Sequence, residues 1–312
     1  MKVPIRAVAC AAAFSLLALA FSACGDESSS PATGASQQDP AFPVTIQAVN
    51  GAVEVPTRPT RIVSLSATAT EILFAIGAGD QVVAVDEQSD YPPEVPTTEL
   101  SGYEPNVEAI AAYEPDLVVA SDATLKPLEK LGIPLLAQPA ATTFDEAYTQ
   151  FRQLGVATGH VAEAAEEVAR IETHIEEIVA SLPETSEPPT YYHELDNTYF
   201  SVTSKTFIGQ IYELAGLRNI ADEAKKAGTG YPQLSAEYII EADPDFIFLA
   251  DSECCNQTPE RVGNRPGWDQ ISAVQNGAVF DVGDDISSRW GPRIVDFLQT
   301  VVDAVREKSP VG

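Results

Sequence analysis

The chain has 312 residues and carries 46 acidic against 18 basic side chains, a formal net charge of −28 at a sequence pI near 4.2. A surface this negative repels a phosphate backbone and excludes nucleic acid as a partner. Three histidines and four cysteines in so long a chain are a poor inventory for metal or general acid–base catalysis.

The first elements are signals rather than structure. Lys2 and Arg6 precede the apolar run Ala7 to Phe21, which is too short and wrongly flanked for a membrane span, and small residues follow at Ser22-Ala23. Residues 1–23 therefore read as a signal peptide for export. Cys24 comes next, and FSAC resembles the lipobox of bacterial lipoproteins, with Phe21 where that motif usually has Leu or Val. The resemblance implies acylation of Cys24 and an extracytoplasmic protein anchored to the bacterial cell membrane. Residues 24–42, which include GDESSSPATGASQQDPAF, are too poor in large apolar residues to order themselves and read as a flexible tether.

The folded body opens with a hairpin around Asn50-Gly51, between the alternating flanks TIQAV and AVEVP. A first lobe, 43–158, then alternates strands and helices. It has a strand at 61–65, a helix from Thr70 to Ile76 capped by Ser66 or Thr68, a strand at 81–85 and a proline-pinned loop at 88–96. A short helix and an apolar run (Leu117 to Ala120) follow, then a helix from Thr124 to Leu131, a strand at 133–137 and a helix from Phe144 to Thr158.

Residues 159–182 read as one linker helix. Val161, Ala164, Val168, Ile171, Ile175, Ile178 and Leu182 recur three and four apart as a single apolar stripe. At 1.5 Å per residue it spans roughly 34 Å, enough to cross from one small domain to another. Pro183 ends it. The second lobe, 183–312, has a strand at 190–195, helix 206–215, strand 278–282 and a closing helix from Pro292 to Arg306, with the proline in the first turn.

The two lobes contain copies of one segment. NVEAIAAYEPDLVVASD (106–122) and SAEYIIEADPDFIFLAD (235–251) superimpose at a constant offset of 129 residues, which aligns Glu108 with Glu237, Pro115-Asp116 with Pro244-Asp245 and Asp122 with Asp251. Their apolar runs are too continuous to have a wet face, the pattern of strands buried on both sides of a parallel sheet. EILFAIGAGDQV (71–82) pairs with QIYELAGLRNIA (210–221), where Gly77 and Gly216 suit the left-handed turn that closes a helix. The fold class read from this is α/β, with two Rossmann-like αβ lobes joined by a single long α-helix.

No nucleophile elbow, P-loop, dinucleotide turn or His-Glu-x-x-His is present. Neither catalytic residues nor a resident metal or cofactor is expected. What remains is an aromatic and polar set at strand ends and loop starts: Tyr91, Tyr103, Phe200, Tyr231, Trp268, Asp285, Arg289 and Trp290. In a two-lobed α/β protein, ligands lie outside the carboxyl ends of the strands, at the domain interface. Aromatic faces there suit a bulky organic ligand. The adjacent Cys254 and Cys255 read either as a vicinal disulfide or as two free thiols.

From Arg61 to Val305 the chain resembles the substrate-binding proteins of ABC importers for ferric siderophores, corrinoids and haem, the class whose two lobes are joined by one long helix. The matching segments are IVSLSATATEILFAIGAGDQVVAVD, SDYPPE, NVEAIAAYEPDLVVA, GYPQLSAEYIIEADPDFIFLAD, RPGW and SRWGPRIVD. The resemblance implies a monomeric, non-enzymatic carrier that captures a metal chelate, a ferric siderophore or cobalamin, and delivers it to an ABC permease dimer. It assigns Tyr103, Phe200, Tyr231, Asp285 and Arg289 to the ligand, and Glu108 and Glu237 to arginine pockets of the permease. Gln88 stands where the corrinoid binders have a Tyr, and Gly102 where they have a Trp. Gly102-Tyr103 matches the dipeptide that supplies the iron-ligating tyrosine in haem binders of this class, the alternative cargo. A surface receptor without a permease is the remaining alternative.

Overall fold

Two sheets of identical topology form the framework. The computed structural model describes residues 40–122, 125, 127–182, 187–225 and 227–308. The signal peptide, Cys24, all but the last residues of the tether, Thr124 and Pro183 lie outside the described residues. A hairpin of β1 (Val44–Ala48) and β2 (Gly51–Val55) comes first. The first sheet holds β3 (Ile62–Leu65), β4 (Val82–Val85), β5 (Leu117–Ala120) and β6 (Leu135–Ala137), in the order β4-β3-β5-β6. The second holds β7 (Thr190–Glu194), β8 (Arg218–Asn219), β9 (Phe246–Leu249) and β10 (Val279–Asp281), in the order β8-β7-β9-β10. Every pair within the two sheets is parallel. In each sheet the first strand thus lies between the second and the third, and β3, β5 and β9 are buried along their whole length.

The repeated residues do the same local work in both lobes. Asp116 accepts from the backbone N–H of Thr60 (2.8 Å) and of Arg61 (2.9 Å) just before β3, while Asp245 accepts from the backbone N–H (2.7 Å) and hydroxyl (2.8 Å) of Thr190 at the start of β7. Each Pro-Asp therefore ties the entry of its third strand to the entry of its first. Asn106 and Ser235 cap the helices Val107–Ala111 and Ala236–Ala242. Gly77 (φ 81°) and Gly216 (φ 74°) take the left-handed conformation that side chains resist.

Element boundaries differ from expectation at three informative places. The hairpin closes at Ala48 and Gly51, so the loop is Val49-Asn50 rather than Asn50-Gly51. The Asn50 side chain is used elsewhere, donating to the Leu135 carbonyl (2.8 Å) and accepting from the Ala137 N–H (3.2 Å), which satisfies the open edge of β6. The helix after β3 spans Ala67–Ala75, three residues longer at its start, so Ser66 is the cap and Thr68 is internal. The last helix spans Ile294–Lys308, with its first helical bond from Phe297 N–H to the Arg293 carbonyl. Pro292 therefore precedes the helix instead of opening it.

The helix Phe144–Thr158 has the expected bounds. The helix Val161–Ala180 lies in sequence between the two sheets and packs on Phe144–Thr158 and on Ile294–Lys308. Its Ala164, Val168 and Ile171 are fully buried, and the rest of the stripe is half-buried. Further ties cross between the lobes: the indole N–H of Trp290 donates to Gln150 Oε1 (2.6 Å), and the Gln210 side-chain amide donates to the Thr142 carbonyl.

Candidate ligand-binding cleft

A strand order in which the first strand sits between the second and third sends consecutive connections to opposite sides, and this opens a crevice at the carboxyl ends of those central strands. In the first lobe the crevice is real. A cleft of about 330 Å³ is lined by Leu65, Ser66 and Thr68 beyond β3, Asp86 and Gln88 beyond β4, and Ser121 and Asp122 beyond β5. Gly102 and Tyr103 add a rim, and the opposite wall is Asp285, Ser288, Arg289 and Trp290 from the second lobe. Three of the expected ligand residues, Tyr103, Asp285 and Arg289, are thus brought into one cavity, together with Trp290.

Tyr103 stands at the mouth, 83% exposed. Its loop is pinned by Glu87, which accepts from the Ser101 hydroxyl (2.9 Å) and the Gly102 N–H (3.1 Å). A Cβ on Gly102 would lie 2.3 Å from Asp86 Oδ2, so a side chain at residue 102 would require the Asp86 carboxyl to move. Asp86 is itself buried and accepts from the Ser89 hydroxyl (2.6 Å); burial outweighs that bond and raises its carboxyl above the usual range.

Arg289 is not a free cation. Its side chain is only 7% exposed. Nη1 donates to Glu71 Oε1 (3.0 Å) and Asp90 Oδ1 (3.0 Å), while Nη2 donates to the Gln88 carbonyl (2.9 Å) and pairs with Asp285 Oδ1 (2.6 Å). Glu71 also accepts from Arg293, from Nε at 3.0 Å and from Nη2 at 2.5 Å. One buried carboxylate of the first lobe therefore grips two arginines of the second. Sequence reasoning did not single out Glu71, although an acid inside the apolar helix segment TEILFAI was a signal.

The remaining candidates scatter. Phe200 (37% exposed) and Tyr231 (49%) lie on two paired segments of the second lobe, where Phe200 bridges Gln233 and Ser201 N–H donates to the Pro232 carbonyl (2.9 Å). Phe200 follows β7 and Tyr231 follows β8 in the chain, and neither lines the cavity. Tyr91 faces a separate hollow of about 940 Å³ beside Glu167 and Arg170 of the helix Val161–Ala180, with the Arg293 guanidinium 4.2 Å over its ring. Trp268, of the wider aromatic group, is a core residue, fully buried against Tyr192 and Tyr199. Cys254 and Cys255 are free thiols on the short helix Ser252–Cys255, where the Cys254 N–H donates to Asp284 Oδ2 (2.8 Å). Glu108 and Glu237 are both exposed, each the second residue of its capped helix, and so occupy equivalent places in the two lobes. The Glu237 carboxyl is held below its usual range by its own backbone N–H and by Ser235.

The matching crevice of the second lobe is filled. Glu194, which ends β7, is fully buried and takes a two-pronged pair from Arg265 (2.6 and 2.5 Å). Asp251, beyond β9, is fully buried beside Glu194. Desolvation and the Glu194 charge push its carboxyl up to about 8. Asp122, its counterpart in the duplication, is exposed in the open cleft instead.

A pH dependence follows from Asp251. Its carboxyl is protonated in the folded protein and ionised in the unfolded chain at neutral pH, so its contribution to stability is complete below the ordinary carboxylate range and lost as pH rises through about 8. His193 acts in the opposite sense at lower pH. Buried and neutral with a pKa of about 3, it costs stability as pH falls below its ordinary 6.5. Between 6.5 and 8 the Asp251 slope stands apart from that of His193. Asp251→Asn is expected to remove a fall in stability of about 1 kcal/mol per pH unit there, read from urea melts across that window.

Known proteins share both the sequence and the fold. The profile of the family described as periplasmic binding protein matches residues 62–286. The uncharacterized ABC transporter substrate-binding lipoprotein YvrC of Bacillus subtilis (strain 168) is 30% identical over 307 residues, covering 94% of this chain and 95% of that one. The cobalamin-binding protein of Halobacterium salinarum (strain ATCC 29341 / DSM 671 / R1) is 33% identical over 280 residues, 84% of this chain and 74% of its own. The crystal structure of the periplasmic vitamin B12 binding protein BtuF of Vibrio cholerae superimposes with a TM-score of 0.65 at 27% identity, over 82% of this chain and all of that one. With a profile match across most of the two-lobed body and a relative aligned over nearly its full length, this chain belongs to the periplasmic binding protein family.

Proposed function

We propose that the protein is the substrate-binding lipoprotein of an ABC importer that captures an intact metal chelate, a corrinoid or a ferric siderophore, and hands it to a permease dimer. The observation that carries this reading is the cleft at the carboxyl ends of β3 and β5, closed by residues 285–290 of the other lobe. The names of the relatives support the transport role, and the cobalamin and vitamin B12 binders among them support the cargo class. Tyr103 and Trp290 offer ring faces to the cargo, Asp285 offers an acceptor, and Arg289 forms the floor between them. The cavity holds part of such a ligand, and Phe200 and Tyr231 contact the remainder.

In this reading the step is binding and release without covalent chemistry, and the protein is not an enzyme. Residues 1–23 are removed on export, Cys24 carries the lipid, and 24–42 tether a monomer outside the cytoplasmic membrane. The lobes 43–158 and 183–312 are joined by the linker 159–182. No helix among the described residues is long and apolar enough to cross a membrane. Glu108 and Glu237 present one carboxylate per lobe to the two permease subunits, where charge complementarity sets register and encounter rate.

The two tryptophans make the test simple, because Trp268 is in the core and Trp290 is in the cleft wall. Titration with aquacobalamin or with a panel of ferric chelates is expected to give saturable fluorescence quenching, matched by calorimetric heat. Trp290→Phe is expected to remove the larger part of the quench. Absence of saturable binding for every corrinoid and ferric chelate would overturn the reading.

A further inference from the structure

The inference rests on the cleft being the cargo site. Among the described residues that line it, the charged side chains are Asp86, Asp122, Asp285 and Arg289. Arg289 is the one cation among them, and its terminal N–H groups are already matched. Each Nη carries two hydrogens, and the acceptors are Glu71 and Asp90 for Nη1, and the Gln88 carbonyl and Asp285 for Nη2. Glu71 is the fully buried member of this group, and Arg293 holds it in place through two further bonds.

We propose that Glu71 is a specificity-determining residue: by keeping Arg289 in ion pairs with the protein, it leaves the cleft acidic and selects uncharged or cationic chelates over polyanionic ones. A ligand carboxylate or catecholate that sought Arg289 would have to displace Asp285 or Asp90 from its existing pair with the arginine while lying close to the Asp86 carboxyl. The amide and hydroxyl donors of an uncharged ligand meet carboxylate acceptors instead, the stronger kind of hydrogen bond. Glu71 touches no cargo in this scheme. It acts through Arg289.

The experiment compares matched ligands on the full chain by equilibrium dialysis: aquacobalamin against cobalamins with side-chain amides hydrolysed to carboxylates, and an uncharged ferric trihydroxamate against a ferric tris-catecholate. Within a ligand class that binds, the anionic form is expected to bind at least about tenfold more weakly. Glu71→Gln keeps the shape and one acceptor but removes the charge, and is expected to narrow that ratio several-fold by tightening the anionic ligand. Asp90→Asn, on a side chain that is 64% exposed and therefore little risk to the fold, is expected to move the ratio the same way by less. Equal affinity for the two forms, or an unchanged ratio in both folded variants, overturns the inference and leaves the carrier reading intact. Failure of the wild-type chain to bind any of the four ligands overturns the carrier reading with it.

Discussion

Reversal of both repeat glutamates, Glu108→Arg with Glu237→Arg, is expected to lower cargo uptake by cells on the order of 100-fold, while the purified protein keeps its cargo affinity within about twofold. Both residues are exposed at the first turns of their helices, and neither lines the cleft. A loss confined to uptake therefore reports on docking rather than on the fold or the cargo site. Each single reversal is expected to fall between wild type and the double variant, because one lobe can still engage its subunit. Labelled-cargo uptake beside calorimetry of the purified variant checks this. Unchanged uptake in the double variant would favour a surface receptor without a permease.

Arg265→Ala is expected to lower the unfolding free energy by about 3–5 kcal/mol, the cost of leaving a buried charge without its partner. Glu194 is fully buried, and both its oxygens are taken by Arg265. Arg265 also reaches Gln257 Oε1 (2.8 Å) and lies 4.5 Å over the Trp268 ring, so its stem and its charge are both used. Adding Glu194→Gln to Arg265→Ala is expected to restore a large part of the loss, since it removes the stranded charge. Urea unfolding of the single and double variants measures the difference. Equal stability of Arg265→Ala and wild type would show that the cluster carries no net weight.

Much of the framework was legible because it rests on local patterns. Phe144–Thr158 has the bounds expected of it, and the capping Thr143 before it and the left-handed Gly159 after it are local features that fix those bounds. Gly77 and Gly216 carried the turn they were assigned, because few other residues take that conformation without strain. The site was less legible. Trp268 and Trp290 sit in similar segments, RPGW and SRWG, yet one ends in the core and the other in the cleft wall. The close approach of the Asp86 carboxyl to Gly102 was likewise invisible in the sequence, because the two lie 16 residues apart on different loops. Glu71 escaped notice because its partners, Arg289 and Arg293, lie 218 and 222 residues away in the chain.

By itself the sequence determined the duplication, the parallel strands and the paired places of Glu108 and Glu237, because helix and strand periodicity and chain-local caps act over a few residues. Tertiary structure alone decided that one of two equivalent crevices is open and the other filled, and that the arginine in the open one is already neutralised. The strength of a charge pair depends on separation and desolvation, and for residues so distant along the chain both quantities exist only once the lobes have packed.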